Sequence, residues 1–184
     1  DSMIKMGQGF VGTNNIPYFE NAGEHGSRML GTSDDKTHAS DRYLFFKMEE
    51  IVKSIFPEDD FPLYKQSEDN NELLEYEYFV PVIPMLLVNG SIGIACGFST
   101  DIPGYNPDDL VHWIRVWLKD RDEDTRETEK LPPLVPWYNG FKGQIYLKTE
   151  KGQAKWISEG ILEAGTGKKV EYKGKSVMNN DKGW

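Results

Sequence analysis

The apolar residues Met3, Ile4, Met6 and Phe10 recur at the spacing of one helix face, so residues 1–10 are predicted to be the tail of a helix. The periodicity then stops. From Val11 to Ser40 the chain is rich in Gly, Asn, Ser, Thr, His and Asp, which predicts a long loop region of the kind that is usually functional or disordered. Leu44, Met48, Ile51, Val52 and Ile55 then fall on one helix face, with Ser40 available as a cap and Pro57 as a stop. Tyr78–Val82 and Met85–Val88 read as buried strand or extended core interrupted by Pro84, and Asn89-Gly90 as a turn. Ser91–Phe98 alternates small residues with Ile92 and Ile94, a pattern that lets backbones approach closely. Asn106-Pro107-Asp108-Asp109 combines a cap, a first-turn proline and two acids, and the helix it opens presents Leu110, Val111, Ile114, Trp117 and Leu118 on one face. Lys119–Lys130 is nearly all charge and predicts an exposed connector, Pro132–Pro136 a stiff bridge. Gly143–Lys148 and Ala154–Ser158 look like a hairpin around Glu150-Lys151-Gly152.

Composition narrows the class. The chain of 184 residues carries 21 Lys and Arg against 30 Asp and Glu, a net charge of −9. It is too apolar for disorder and too polar for a membrane protein, and its longest apolar run, Val80–Val88, contains two prolines and falls far short of the roughly 20 residues of a membrane helix. Cys96 is the single cysteine, which excludes an internal disulfide framework and a multi-cysteine zinc site and fits a reducing compartment. No signal or transit peptide is visible. Acids are concentrated in residues 58–77, eight of them against Lys65 alone, whereas residues 151–184 hold seven lysines against four acids. An acidic block is repelled by phosphate, so residues 58–77 should face away from any nucleic acid.

Common catalytic signatures are missing: there is no Walker A loop, no His-Glu-x-x-His and no Gly-x-Ser-x-Gly. His25 and His38, in the polar loop, read as ordinary hydrogen-bonding residues, and His112 as helix packing. Trp113, Trp117, Trp137 and Trp156 lie in regular apolar patterns and read as core. The exception is Ala39-Ser40-Asp41-Arg42-Tyr43. A tyrosine at a helix start beside an arginine sits where amides and guanidinium both favour an anion, and where a phenol could meet a phosphate diester. The dipeptide alone is a weak pattern.

Its context is specific. Phe10-Val11-Gly12-Thr13-Asn14-Asn15-Ile16, then Gly26-Ser27-Arg28, Lys36 and Arg42-Tyr43 resemble the breakage–reunion region of type IIA DNA topoisomerases. The eukaryotic and large-DNA-virus branch of that family runs Phe-Val-Gly-Ser-Asn-Asn, Phe-Gly-Thr-Arg, Gly-Gly-Lys and Arg-Tyr in the same order. Tyr78–Met85 resembles its Trp-Tyr-Ile-Pro-Ile-Ile-Pro-Met, Val88-Asn89-Gly90 with Gly93-Ile94 its Ile-Asn-Gly-Ala-Glu-Gly-Ile, and Ile102–Tyr105 its Ile-Pro-Asn-Phe. Residues 137–143 resemble its Ser-Tyr-Lys-Asn-Phe-Lys-Gly. The resemblance covers roughly residues 3–148.

The resemblance implies an α+β chain: residues 1–56 the C-terminal end of a winged-helix-type domain with the catalytic tyrosine loop, 57–130 the start of a mixed α/β tower (shoulder) domain with a DNA-wedge segment, and 131–184 its truncated β region. It implies Tyr43 as the nucleophile that forms a 5′-phosphotyrosine link and Arg42 as the group that steadies charge at phosphorus. Arg28, Lys36, Asn14 and Asn15 are then expected around the DNA, and Ile94 as a wedge between base steps; on pattern alone Ile94 reads as a core residue. The implied partner is double-stranded DNA, the implied assembly a homodimer of the full-length protein, with no membrane association. Mg²⁺ and ATP are expected to bind parts of the full-length protein absent from this chain, which looks like a central piece unable to complete the reaction alone. The implied location is the nucleus in a cell, or host cytoplasm or virion for a virus. Rival readings are a non-catalytic architectural DNA-binding module on the same scaffold and an acidic protein-interaction domain. The sequence departs from the branch at Asp34-Asp35 for Gly-Gly, Asp41 for proline or alanine, Ile92 for glutamate and Ala95-Cys96 for Gly-Thr, which points to a divergent member.

Overall fold

The computed structural model describes residues 2–26, 38–120, 131–150, 153–163 and 169–175. They form short helices and three antiparallel sheets. The core gathers where α2 (Ile51–Ile55), α3 (Met85–Asn89) and α4 (Pro107–Asp120) meet: Ile55, Met85, Val88, Tyr105 and Leu110 are buried together, with Ile16, Tyr18, Phe56, Ile83, Leu87 and Leu134 packed around them. Val52 with Ile55, and Met85 with Val88, are spaced three apart, so even one-turn helices turn two apolar residues to the same side. α4 starts as the sequence predicts, with the Asp108 N–H donating to Asn106 Oδ1 at 2.9 Å. Two glycines allow the segments around α3 to close: a Cβ on Gly90, whose φ is +74°, would stand 2.6 Å from the Ile102 carbonyl, and one on Gly104 would stand 2.6 Å from Asn15 Nδ2.

Three expectations are corrected. The helix predicted from Leu44 begins only at Ile51, because residues 44–49 run antiparallel to the loop at 18–22 instead. Phe19 pairs with Met48 and Ala22 with Phe45, the Glu20 N–H donates to the Lys47 carbonyl at 2.7 Å, and the Glu49 N–H to that of Tyr18 at 3.0 Å. Phe45 and Phe46 would have fallen on the polar face of the helix; as an extended segment Leu44 points in and Phe45 out, a period of two. Tyr78–Val82 forms no strand and is largely exposed, since Pro81 and Pro84 supply no N–H to a ladder. Met85–Val88 is helical, with the Leu87 N–H donating to the Pro84 carbonyl at 2.8 Å.

The acidic block is not simple loop. A 3-10 segment (Glu58–Leu63) leads into a hairpin of β1 (Gln66–Asp69) and β2 (Glu72–Tyr76), turned by Asn70 and Asn71 at φ 52° and 65°, the left-handed region that asparagine tolerates. Beside it Phe61, Tyr64, Tyr76 and Phe79 pack ring against ring, with centroids 5.4–6.2 Å apart. β3 (Ser91–Ala95) and β4 (Phe98–Ile102) make a second hairpin, with Ile94 opposite Ser99 and Ile92 opposite Asp101. The close backbone approach read from its small residues does not occur at Gly93, where an added Cβ would meet open space. β5 (Lys142–Glu150) and β6 (Gln153–Glu163) pair in the predicted hairpin, extended by β7 (Lys169–Lys175), which periodicity did not reveal. His112 and Trp117 are exposed rather than packed in, whereas Trp113, Trp137 and Trp156 are half-buried. The predicted connector between Lys119 and Lys130 lies almost wholly outside the described residues.

Candidate functional site

Arg42 and Tyr43 sit in a single 3-10 turn, Asp41–Tyr43, fixed from both sides. The Tyr43 N–H donates to the Ser40 carbonyl at 2.8 Å, and the Ala39 N–H to the Glu24 carbonyl at 2.9 Å. After the turn, Leu44 is buried and Phe45 pairs with Ala22. The backbone is thus pinned while the Tyr43 ring points out, 62% exposed. The Arg42 guanidinium carbon lies 5.1 Å from the centre of that ring, a cation–π distance worth about 0.5–1 kcal/mol at an exposed site. A helix dipole does not contribute, as the sequence suggested it would: three residues of 3-10 turn do not build one. The positive field on the phenol comes from Arg42. An open phenol oxygen with a fixed cation beside it can attack an electrophilic phosphorus on a large substrate, with the guanidinium available to the charge that develops.

The expected companions are distributed differently. Arg28 and Lys36 lie outside the described residues. Asn14 Nδ2 donates to the Gln8 carbonyl at 2.8 Å and to that of Lys5, closing the turn after α1 (Ser2–Gly7). Asn15 is buried, 6% exposed, and acts as a clamp: Nδ2 donates to the Val88 and Trp137 carbonyls at 2.7 and 3.0 Å, and Oδ1 accepts from the Asn139 N–H at 2.8 Å. Its polar atoms are committed inward, so it frames a surface and does not itself reach a ligand. Asn89 adds a second clamp, exchanging hydrogen bonds of 2.9 and 3.0 Å with the Ile16 backbone, a role the sequence did not signal. Ile94 is no core residue: it stands on the β3–β4 hairpin at 94% exposure.

His25 is the residue whose reading changes most. It is fully buried, and neither ring nitrogen has a hydrogen-bond partner. The ring packs edge-on against Phe46 at 5.2 Å and lies so near Gly7 that a Cβ there would stand 3.0 Å from it. It therefore behaves as an aromatic filler behind the extended segment that follows Tyr43, not as a hydrogen-bonding loop histidine. Among the described residues no group of three or more His, Cys, Asp or Glu could hold a metal ion. No helix among them is long and apolar enough to cross a membrane.

Residues 1–179 match the DNA gyrase/topoisomerase IV family. The chain is 41% identical to the mitochondrial DNA topoisomerase 2 of Dictyostelium discoideum over 78% of its own length and 10% of that protein's. It is 36% identical to the DNA topoisomerase 2 of Invertebrate iridescent virus 6 over 88% of its length and 13% of that protein's. In structure it is similar to the Plasmodium falciparum topoisomerase II DNA-binding, cleavage and re-ligation domain, with a TM-score of 0.65 and 34% identity, covering 88% of this chain and 22% of that one. The chain thus spans about a tenth of the length of the curated relatives it matches.

Proposed function

The chain belongs to the type IIA DNA topoisomerases, the family of DNA gyrase/topoisomerase IV, and on that premise we propose that it is the cleavage and re-ligation part of a type II DNA topoisomerase, with Tyr43 as nucleophile. The observation that carries this reading is the exposed Tyr43 ring on a pinned turn with the Arg42 cation over it.

In the forward step the Tyr43 oxygen attacks the phosphorus of a DNA phosphodiester. An O–P bond to tyrosine forms and the bond to the 3′-oxygen breaks; the phenolic proton is lost to solvent and the 3′-oxygen gains one. The product is a 5′-phosphotyrosine and a free 3′-hydroxyl. Because one phosphodiester replaces another, the 3′-hydroxyl can reverse the step without an outside energy source. Arg42 stabilises the charge on the phosphoryl oxygens as it grows, worth about 10²–10³ in rate for one such donor. Two copies acting on opposite strands open a gate duplex for a second duplex to pass, which requires a homodimer of the full-length protein.

The remaining assignments follow the same reading. α1 is the end of a winged-helix-type domain, and the region from residue 57 belongs to a tower (shoulder) domain whose β part is β5–β7. Ile94 wedges between base steps, a role its exposure supports; unstacking costs a few kcal/mol and is offset by the contacts that the bend permits. Arg28 and Lys36 neutralise phosphates near the cut, while Asn14 and Asn15 hold the loop that frames it. Mg²⁺ and ATP supply metal-assisted charge stabilisation and strand-passage energy from parts of the protein beyond this chain, since the described residues offer no metal-holding group. The test is a cleavage assay of the full-length protein with Mg²⁺: Tyr43→Phe abolishes covalent DNA attachment with DNA binding nearly unchanged, whereas persistent adducts in that variant would overturn the assignment.

A further inference from the structure

Ile94 has a neighbour that the proposed reaction does not use. Ile92, which stands where the branch has glutamate, lies two residues earlier on the same strand, so both side chains leave the same face of the β3–β4 hairpin. Ile92 is 85% exposed, almost as open as Ile94. On this face they are joined across the hairpin only by Ser99, opposite Ile94, and Asp101, opposite Ile92. An isolated pair of β-branched side chains held out on a two-stranded ribbon is costly in water unless a partner covers both.

The spacing identifies what could cover both. Residues i and i+2 of a strand are about 6.7 Å apart, and two base steps of a duplex rise about 6.8 Å. We propose that Ile92 and Ile94 act as a double wedge, entering base steps two apart on the gate duplex, so that Ile92 determines how sharply and over how many steps the DNA is deformed. This rests on the reading of the hairpin as a DNA-facing element. With glutamate at position 92 the wedge would be single, because a second carboxylate beside Asp101 would oppose approach to the phosphates. A double wedge also shifts sequence preference: sites with two flexible pyrimidine–purine steps at that separation are cheapest to deform.

The test uses the full-length protein and a short gate duplex with a donor and acceptor dye at its ends, together with a scan of 2-aminopurine along the strand to report unstacking. The wild type should show two bright positions two base steps apart. Ile92→Ala and Ile92→Glu should each extinguish one and lower the bent-to-unbent ratio by roughly ten- to a hundredfold, the size of one isoleucine side chain returned to water. Ile94→Ala should extinguish the other. Thermal melts should not move, since neither side chain is packed in the protein. A single bright position that Ile92→Ala leaves intact would overturn the double wedge while sparing Ile94. If no position brightens although Tyr43 still forms its adduct, the hairpin is not a DNA wedge at all, and the inference falls without the nucleophile.

Discussion

Replacing His25 with phenylalanine should stabilise the protein. The histidine ring is fully buried with Nδ1 and Nε2 both unpaired, and each buried polar atom without a partner costs about 1–3 kcal/mol. Phenylalanine removes both terms and keeps the edge-on contact with Phe46, 5.2 Å away. The opposing term is space: Gly7 lies so close that a larger ring must push against it, and overpacking costs about 1–3 kcal/mol. The net gain should be about 1–2 kcal/mol, which for a chain of this size raises Tm by about 2–8 °C. The related branch carries phenylalanine in the matching Phe-Gly-Thr-Arg run, so the backbone there can accept the ring. A thermal melt at neutral pH of wild type, His25→Phe and His25→Ala reads the balance; the alanine variant should melt early because it leaves a cavity. If His25→Phe melts at or below the wild type, the nitrogens are not the cost that the geometry makes them, and the account of this packing is wrong.

Arg42→Ala in the full-length protein should slow cleavage by roughly 10²–10³-fold, and Arg42→Lys should not fully restore it, because a point charge cannot reproduce a planar guanidinium; ordinary turnover in the alanine variant would remove the role. Asn15→Ala leaves the buried Val88 carbonyl without its Asn15 donor and unties the segment at Trp137–Asn139, so it should cost about 2–4 kcal/mol of stability, read as a lower denaturant midpoint with DNA cleavage chemistry otherwise intact. Burial raises the phenol pKa of Tyr105 and of Tyr18, so each contributes stability that is whole below the ordinary tyrosine value near 10 and lost as pH rises past it. Melting temperature measured from pH 9 to 11 should therefore fall, and Tyr105→Phe should flatten that fall; an unchanged slope would remove Tyr105 from it.

Local chemistry was legible and long-range chemistry was not. Asn106-Pro107 announces α4, Pro57 ends α2, and the β5–β6 hairpin turns where Glu150-Lys151-Gly152 predicts. The segment after Tyr43 misled because Leu44, Met48, Ile51, Val52 and Ile55 do fit a helix face; only the pairing with residues 18–22, a tertiary event, draws its first half into an extended form. Asn15 finds partners 73, 122 and 124 residues away, which no local window contains. Ile94 shows the converse: its apolar neighbours on the strand suggest core, and only the hairpin's isolation reveals it as exposed. At the site, Arg42 and Tyr43 were found as a pair, but what fixes them is the Glu24 carbonyl and the Ala22–Phe45 pairing, which depend on how the preceding loop folds back.

The most direct measurement of the central claim is the identity of the residue that carries DNA. The covalent complex of the full-length protein is trapped with denaturant during cleavage, digested with nuclease and trypsin, and read by mass spectrometry. The account predicts a nucleotide joined through a 5′-phosphate to the peptide that contains Tyr43-Leu44-Phe45-Phe46-Lys47, on the tyrosine oxygen. A nucleotide found on any other residue, with the Tyr43 peptide unmodified, would contradict it.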